Sequence, residues 1–187
     1  MNEAFDELQD DLSKALAIDE NDTDTHRVLA AVHIARDNID QAQRHQQKAH
    51  RLNPNYDLVV VQSDELLTWQ GRPEEGIELI LQAMELNPLH PPRFFGHLGR
   101  AYYTGKHYAE AVSAIEHIES PDILQLAFLA ASHAWLEDQS NAARCVALAQ
   151  RQGPDLTVNK LMTLQHYGRE ENIEHFHAGL LKAGFIE

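Results

Sequence analysis

Apolar residues recur along this chain at three- and four-residue steps, in stretches bounded by turn residues. Ile77, Ile80, Leu81 and Met84 mark one face of a helix over about 73–86. Pro73 suits its first turn, where the N–H that proline lacks would have no partner. Asn87-Pro88 stops it, because proline cannot continue a helix and disfavours helical geometry in the residue before it. A helix over 58–70 precedes it, and Gly71-Arg72-Pro73 turns the chain between the two. The same grammar predicts helix pairs at 24–36 with 39–52, 58–70 with 73–86, 92–104 with 107–119, and 123–136 with 139–151. Residues 4–18 predict a second helix without its first, since Leu8, Leu12 and Ala15 match Ala42, Gln46 and Ala49. Residues 157–165 and 171–183 predict two closing helices, with Gly184 as a C-terminal cap.

The pairs keep a fixed beat. Pro54, Pro88, Pro121 and Pro154 are 34, 33 and 33 residues apart, and Leu52-Asn53-Pro54 recurs as Leu86-Asn87-Pro88. Ala15, Ala49 and Ala83 share the 34-residue step. Such a period belongs to stacked helical hairpins. Ala42, Gly76, Ala111 and Ala142 hold the same place early in each second helix, where a small side chain lets neighbouring helices approach. The expected fold is an all-α, right-handed α-solenoid, an alpha-alpha superhelix of helical hairpins. Its repeat array covers 1–155, with a half repeat at 4–22 and repeats at about 23–56, 57–91, 92–122 and 123–155. Residues 156–187 form the closing helices, which cover the last apolar face of the array.

Tyr102, Gly105, Tyr108, Ala111 and the Leu-Asn-Pro endings resemble the tetratricopeptide repeat (TPR), over roughly residues 4–155. Asp64 departs from the pattern, standing where the family prefers a small residue, and Ser63 stands where it prefers leucine. The third repeat ends early, at Glu119-Ser120-Pro121. More narrowly, the run from Gly71 to Ile80, Leu129-Ala130-Ala131-Ser132, and Gly179-Leu180-Leu181-Lys182-Ala183-Gly184 are similar to the TPR tail of bacterial class III adenylate/guanylate cyclases. Nothing resembles the catalytic domain of those enzymes. That similarity therefore implies a detached regulatory tail rather than a cyclase.

Composition narrows the function. An apolar share of 43% with 24% charged residues suits a packed protein. A formal charge of −14 argues against nucleic acid as a partner. The single Cys145 fits a reducing compartment, and the acidic N-terminus lacks the pattern of an export signal, so the expected location is cytoplasmic. The most apolar stretch, 123–136, falls short of the about 20 residues a membrane span needs. Nine carboxylates and one lysine between Glu3 and Asp24 read as a solvated face.

Twelve histidines invite a metal, yet their spacings (His26 with His33, His45 with His50, His175 with His177) give no local ligand set. Cys145 sits mid-helix between Ala142 and Leu148 as a packing thiol. With no phosphate loop or nucleophile elbow, neither an enzyme nor a cofactor is expected. The groove carries the functional expectation. The first helix of each pair lines the concave surface of such an array, which gives Arg27, Ala31 and Ile34, then Val61, Glu65 and Thr68, then Gly96, Arg100 and Tyr103, then Ala127, Ala131 and Ala134. Arg100 and Tyr103 lead, because arginine and tyrosine dominate interface energetics. The expected partner is a peptide or helix of another protein, with self-association and the excised cyclase tail as alternatives. The carboxylate-gripping mode of some TPR proteins is not expected, since Ala31 follows Arg27 where polar partners would be needed.

Overall fold

Four of the hairpins predicted from the apolar periodicity close with the same backbone device. The structure, a computed structural model, describes residues 2–187, with side chains from Asp6 onward. Among the described residues there are eleven helices and no strand. Helix α1 (Asn2–Ile18) stands alone, and four pairs follow: α2 (Thr23–Ala35) with α3 (Ile39–Leu52), α4 (Asp57–Trp69) with α5 (Pro73–Leu86), α6 (Arg93–Thr104) with α7 (Tyr108–Ile115), and α8 (Ile123–Trp135) with α9 (Gln139–Gln152). Two further helices, α10 (Val158–Met162) and α11 (Glu170–Ala183), end the chain.

Between the helices of each pair one residue adopts the left-handed conformation: Asp37 (φ 55°), Gly71 (74°), Lys106 (65°) and Glu137 (62°). The next N–H then bonds five residues back, Asn38 to His33, Arg72 to Leu67, His107 to Tyr102 and Asp138 to His133, all at 2.9 Å. This Schellman closure satisfies carbonyls that a helix end leaves free. Asn38 and Asp138 cap the returning helix through the N–H groups of Gln41 and Asn141. Asp122 and Gln125 form a reciprocal capping box at the start of α8. Gly184 (φ 102°) ends α11 in the left-handed cap that its sequence position suggests.

The first helices of successive pairs pack on one another, α4 on α6 and α6 on α8, in addition to packing on their own partners. They therefore occupy the tighter, inner side of the solenoid. Ala42, Ala111 and Ala142 have no exposed surface, and Gly76 is buried as well. The departure at Asp64 is absorbed at this position. A Cβ on Gly76 would lie 2.6 Å from Asp64 Oδ1 and 3.0 Å from Thr68 Oγ1, so the missing methyl of one helix makes room for the carboxyl of the other. At the N-terminal end Arg36 reaches back to Asp6 and Gln9, tying α1 to the first hairpin.

Two elements differ from expectation. The helix predicted over 107–119 stops at Ile115, where the N–H groups of His117 and Ile118 turn back to Ala114 and Ile115. Those tight turns end the helix before Pro121. The helix predicted over 157–165 is only the five-residue α10. Beyond it the chain runs without regular structure at 165–168, because the Gly168 N–H pairs with Trp69 O rather than with its own helix. Helix α11 returns to lie on α8.

Gly76→Ala is expected to destabilise the fold by about 1–3 kcal/mol, since the methyl meets buried, hydrogen-bonded atoms and this outweighs the gain in helix propensity. In urea melts the Asp64→Ala/Gly76→Ala double variant should recover about 1 kcal/mol or more of that loss. Additive effects of the two substitutions would contradict the contact.

Candidate functional site

The inner face splits into a covered half and an open half. Helix α11 seats Phe176, Leu180 and Ala183 in the same core cluster as Ala127, Ala131 and Ala134 of α8. The three alanines have no exposed surface. Gly179 crosses where α6 and α8 meet, and a side chain there would collide with Tyr103, Trp135 and Ala131. The small residues of α8 thus accommodate the chain's own last helix. Tyr103, an expected anchor for a partner, is fully buried. Its hydroxyl donates to His175 O at 3.2 Å and accepts from Trp135 Nε1 at 3.2 Å, and its ring lies face to face with that of His175. Burial raises the Tyr103 phenol far above its ordinary pKa. These four residues are interior rather than groove-lining, because the closing helix covers them.

Earlier in the array, Ile34, Val61 and Thr68 are buried between helices. Ala31 is exposed, and Arg27 is half-buried and held by Asp24 at 2.9 Å. The remaining three, Glu65, Gly96 and Arg100, line one hollow of about 210 Å³ together with His97, Gln125 and Phe128. Gly96 deepens it, since a Cβ there would meet the Gln125 side-chain amide at 2.6 Å.

Arg100 organises the floor of this hollow. Its guanidinium lies over the Trp69 ring, 4.4 Å from the centroid. One nitrogen donates to Glu65 Oε1 at 3.1 Å and to His97 Nδ1 at 3.0 Å, while Nε is buried without a partner. An Nδ1 that accepts from arginine carries no proton, so His97 is neutral here. Burial, with Arg100 beside it, brings the His97 pKa down to about 4. Burial works to raise the Glu65 carboxyl, but the charge and hydrogen bond of Arg100 leave it below its ordinary value. Asp64, behind them, has no exposed surface, and burial pushes its carboxyl well above the usual range. The hollow therefore presents a neutral imidazole and a desolvated ion pair stacked on an indole.

Two further groupings escaped the sequence. A cleft of about 340 Å³ opens between α3, α4 and α5, lined by Gln43, Gln46, His50, Leu67 and Leu79 among others, and holds none of the twelve expected residues. His26 and His45 face each other across α2 and α3 with their Nδ1 atoms 2.9 Å apart, and the His33 ring stacks on His45 at 5.4 Å. The pairing crosses a hairpin, so spacing along the chain does not reveal it. Among the described residues no group of three or more His, Cys, Asp or Glu is arranged to hold a metal ion. Cys145 is buried, which raises its thiol pKa and weakens it as a nucleophile. None of the described helices is long and apolar enough to cross a membrane.

No family model matches this chain, and no curated protein sequence does. Solved structures share its fold. PilW, a widely conserved type IV pilus biogenesis factor, is similar at a TM-score of 0.74 and 15% identity, over 96% of this chain and 86% of that one. A thermophilic TPR protein from Thermus thermophilus is similar at 0.64 and 15% identity, over 91% and 87%. YrrB, a TPR protein with an unusual peptide-binding site, is similar at 0.60 and 16% identity, over 92% and 90%. At these identities the likeness establishes the helical-repeat fold alone.

The neutral His97 predicts a pH dependence. Its folded pKa lies below the ordinary 6.5, so the unfolded chain takes up a proton that the folded chain refuses, and stability is lost as pH falls below about 6.5. Because 22% of its side chain stays exposed, the loss between pH 7 and pH 5 should be about 1–2 kcal/mol. Asp64 titrates in the opposite sense, so the comparison is with His97→Gln, whose amide oxygen can still accept from Arg100. Denaturant melts at both pH values should show the parent losing that much more than the variant. Parallel losses would mean that His97 is protonated in the folded state.

Proposed function

We propose that this chain is a non-catalytic interaction module that binds a peptide or helix of another protein on the inner face of its solenoid. One observation carries the reading: the hollow beside Arg100 stays open, whereas α11 covers the α8 end of the inner face. A preformed site of this kind binds with little ordering of its own backbone. Its contents suit a protein surface. Phe128 offers apolar contact and the Arg100 guanidinium, backed by Trp69, cationic contact, and Glu65 and Gln125 offer acceptors and a donor. The peptide-binding site of YrrB, on the same fold, supports this reading and leaves the sequence of the ligand open. The cyclase-tail and self-association readings rest on the sequence alone, and no contact in the structure favours either.

A photocrosslinking amino acid at Arg93, on the rim of the hollow, tests the proposal against one at Arg144, exposed on α9. In cells of the source organism, position 93 should give a defined adduct that position 144 does not. Filling the hollow with Gly96→Leu, whose Cβ meets the Gln125 side-chain amide first, should reduce that adduct by about tenfold. The same adducts from both positions, or no effect of Gly96→Leu in a folded variant, would move the function elsewhere.

A further inference from the structure

The segment joining α10 to α11 crosses the C-terminal ends of α2, α4 and α6. His166 Nδ1 lies 2.6 Å from Asp37 Oδ1, just beyond α2. The carbonyls of Leu66, Leu67 and Thr68 are taken by the N–H groups of Gln70, Arg72 and Gly71, which leaves those of Trp69 and Gln70 for other donors. The Gly168 N–H takes the first at 2.8 Å and Arg169 Nε takes the second at 3.0 Å. Between them Tyr167 is buried. Its ring stands edge-on to Trp69 with centroids 4.7 Å apart, and its hydroxyl lies 2.8 Å from Thr104 Oγ1 at the end of α6. Burial pushes the Tyr167 phenol up to about 12.

Main-chain hydrogen bonds and a side chain seated in a pocket are how a receptor holds an extended peptide; here Gly168 supplies the first, Tyr167 the second, and Arg169 adds a side-chain bond to a free carbonyl. The fit in cis is incomplete at both ends. Both polar atoms of the Gln165 side chain and the Asn172 side-chain nitrogen are buried without hydrogen-bond partners, and such groups oppose docking. A second hollow of about 250 Å³ opens beside the segment, lined by Glu74, Thr104, Lys106, Glu171 and Asn172 among others.

We infer that the ends of α2, α4 and α6 form a recognition site for an extended peptide that places tyrosine and arginine two residues apart, and that Gln165–Arg169 occupies this site in cis. The site is separate from the hollow beside Arg100, with the Trp69 indole standing between the two. A tethered segment acts at an effective concentration in the millimolar range. A trans peptide therefore meets the intact chain weakly and a chain with a loosened segment strongly.

The test uses the full-length chain and its Tyr167→Ala variant. The probe is an N-acetylated, amidated peptide spanning residues 164–171, followed by calorimetry and by tryptophan emission. The variant should bind it saturably, with the intact chain weaker by about tenfold or more. The same peptide with alanine for tyrosine should not bind, and Thr104→Val in the variant should weaken binding several-fold. If Tyr167→Ala fails to melt cooperatively, Gly168→Pro removes the N–H to Trp69 and serves in its place. A folded variant that ignores the peptide at millimolar concentration would overturn the inference, as would equal affinity for the intact chain. Either failure leaves the crosslink from position 93 unaffected, so this site and the hollow are judged independently.

Discussion

The whole array depends on a turn that reverses the chain in three residues. One residue in the left-handed region and one N–H bonded five residues back set the angle between the two helices of each pair, and that angle decides how the next pair stacks. Glycine fills the position only once, at Gly71, while Asp37, Lys106 and Glu137 adopt it with a Cβ in place. Left-handed geometry costs an ordinary residue roughly 1–2 kcal/mol. Here it is offset by satisfied helix-end carbonyls and by burial of the small residue that follows early in the next helix. With the turns alike, the first helices crowd on the inner side, and the structure presents one continuous face.

What that face does is set by charge burial. Asp64, Glu65, His97 and Arg100 lie within two adjacent first helices, and a buried ion pair gains little once its desolvation is counted. The cluster persists because the structure changes the charges rather than simply pairing them. Asp64 is pushed toward its neutral acid and His97 toward its neutral base, leaving Arg100 and Glu65 as the ionised pair over Trp69. Removing either partner of that pair would leave the other desolvated and alone. The arrangement favours a rigid floor, and a rigid floor suits recognition without reorganisation.

The C-terminal segment covers two other parts of the array. Helix α11 covers the small residues of α8, and the preceding segment uses the free carbonyls at the end of α4. The first covers the last repeat, as such an array requires, and the second satisfies helix-end carbonyls of an earlier one. A cover that binds through one tyrosine, one N–H and one arginine has the chemistry of a ligand.

The hairpins were legible because stacking demands repetition. A period of about 34 residues, prolines at its ends and small residues at one internal position are local requirements, and each leaves a mark in the residue order. Even Asp64, which breaks the pattern, has its explanation in Gly76 one helix later. The site was much less legible. The sequence marks Ala127, Ala131 and Ala134 as one face of α8 and Tyr103 as part of a face of α6, and periodicity does not report what will cover such faces. Only the tertiary structure brings α11 onto them, leaves Glu65, Gly96 and Arg100 open, and gathers His26, His33 and His45 across a hairpin. Helix and turn follow from contacts a few residues apart, which the chain encodes in order. The covering of the inner face joins residues as distant as Tyr103 and His175, and no local pattern records a contact of that span.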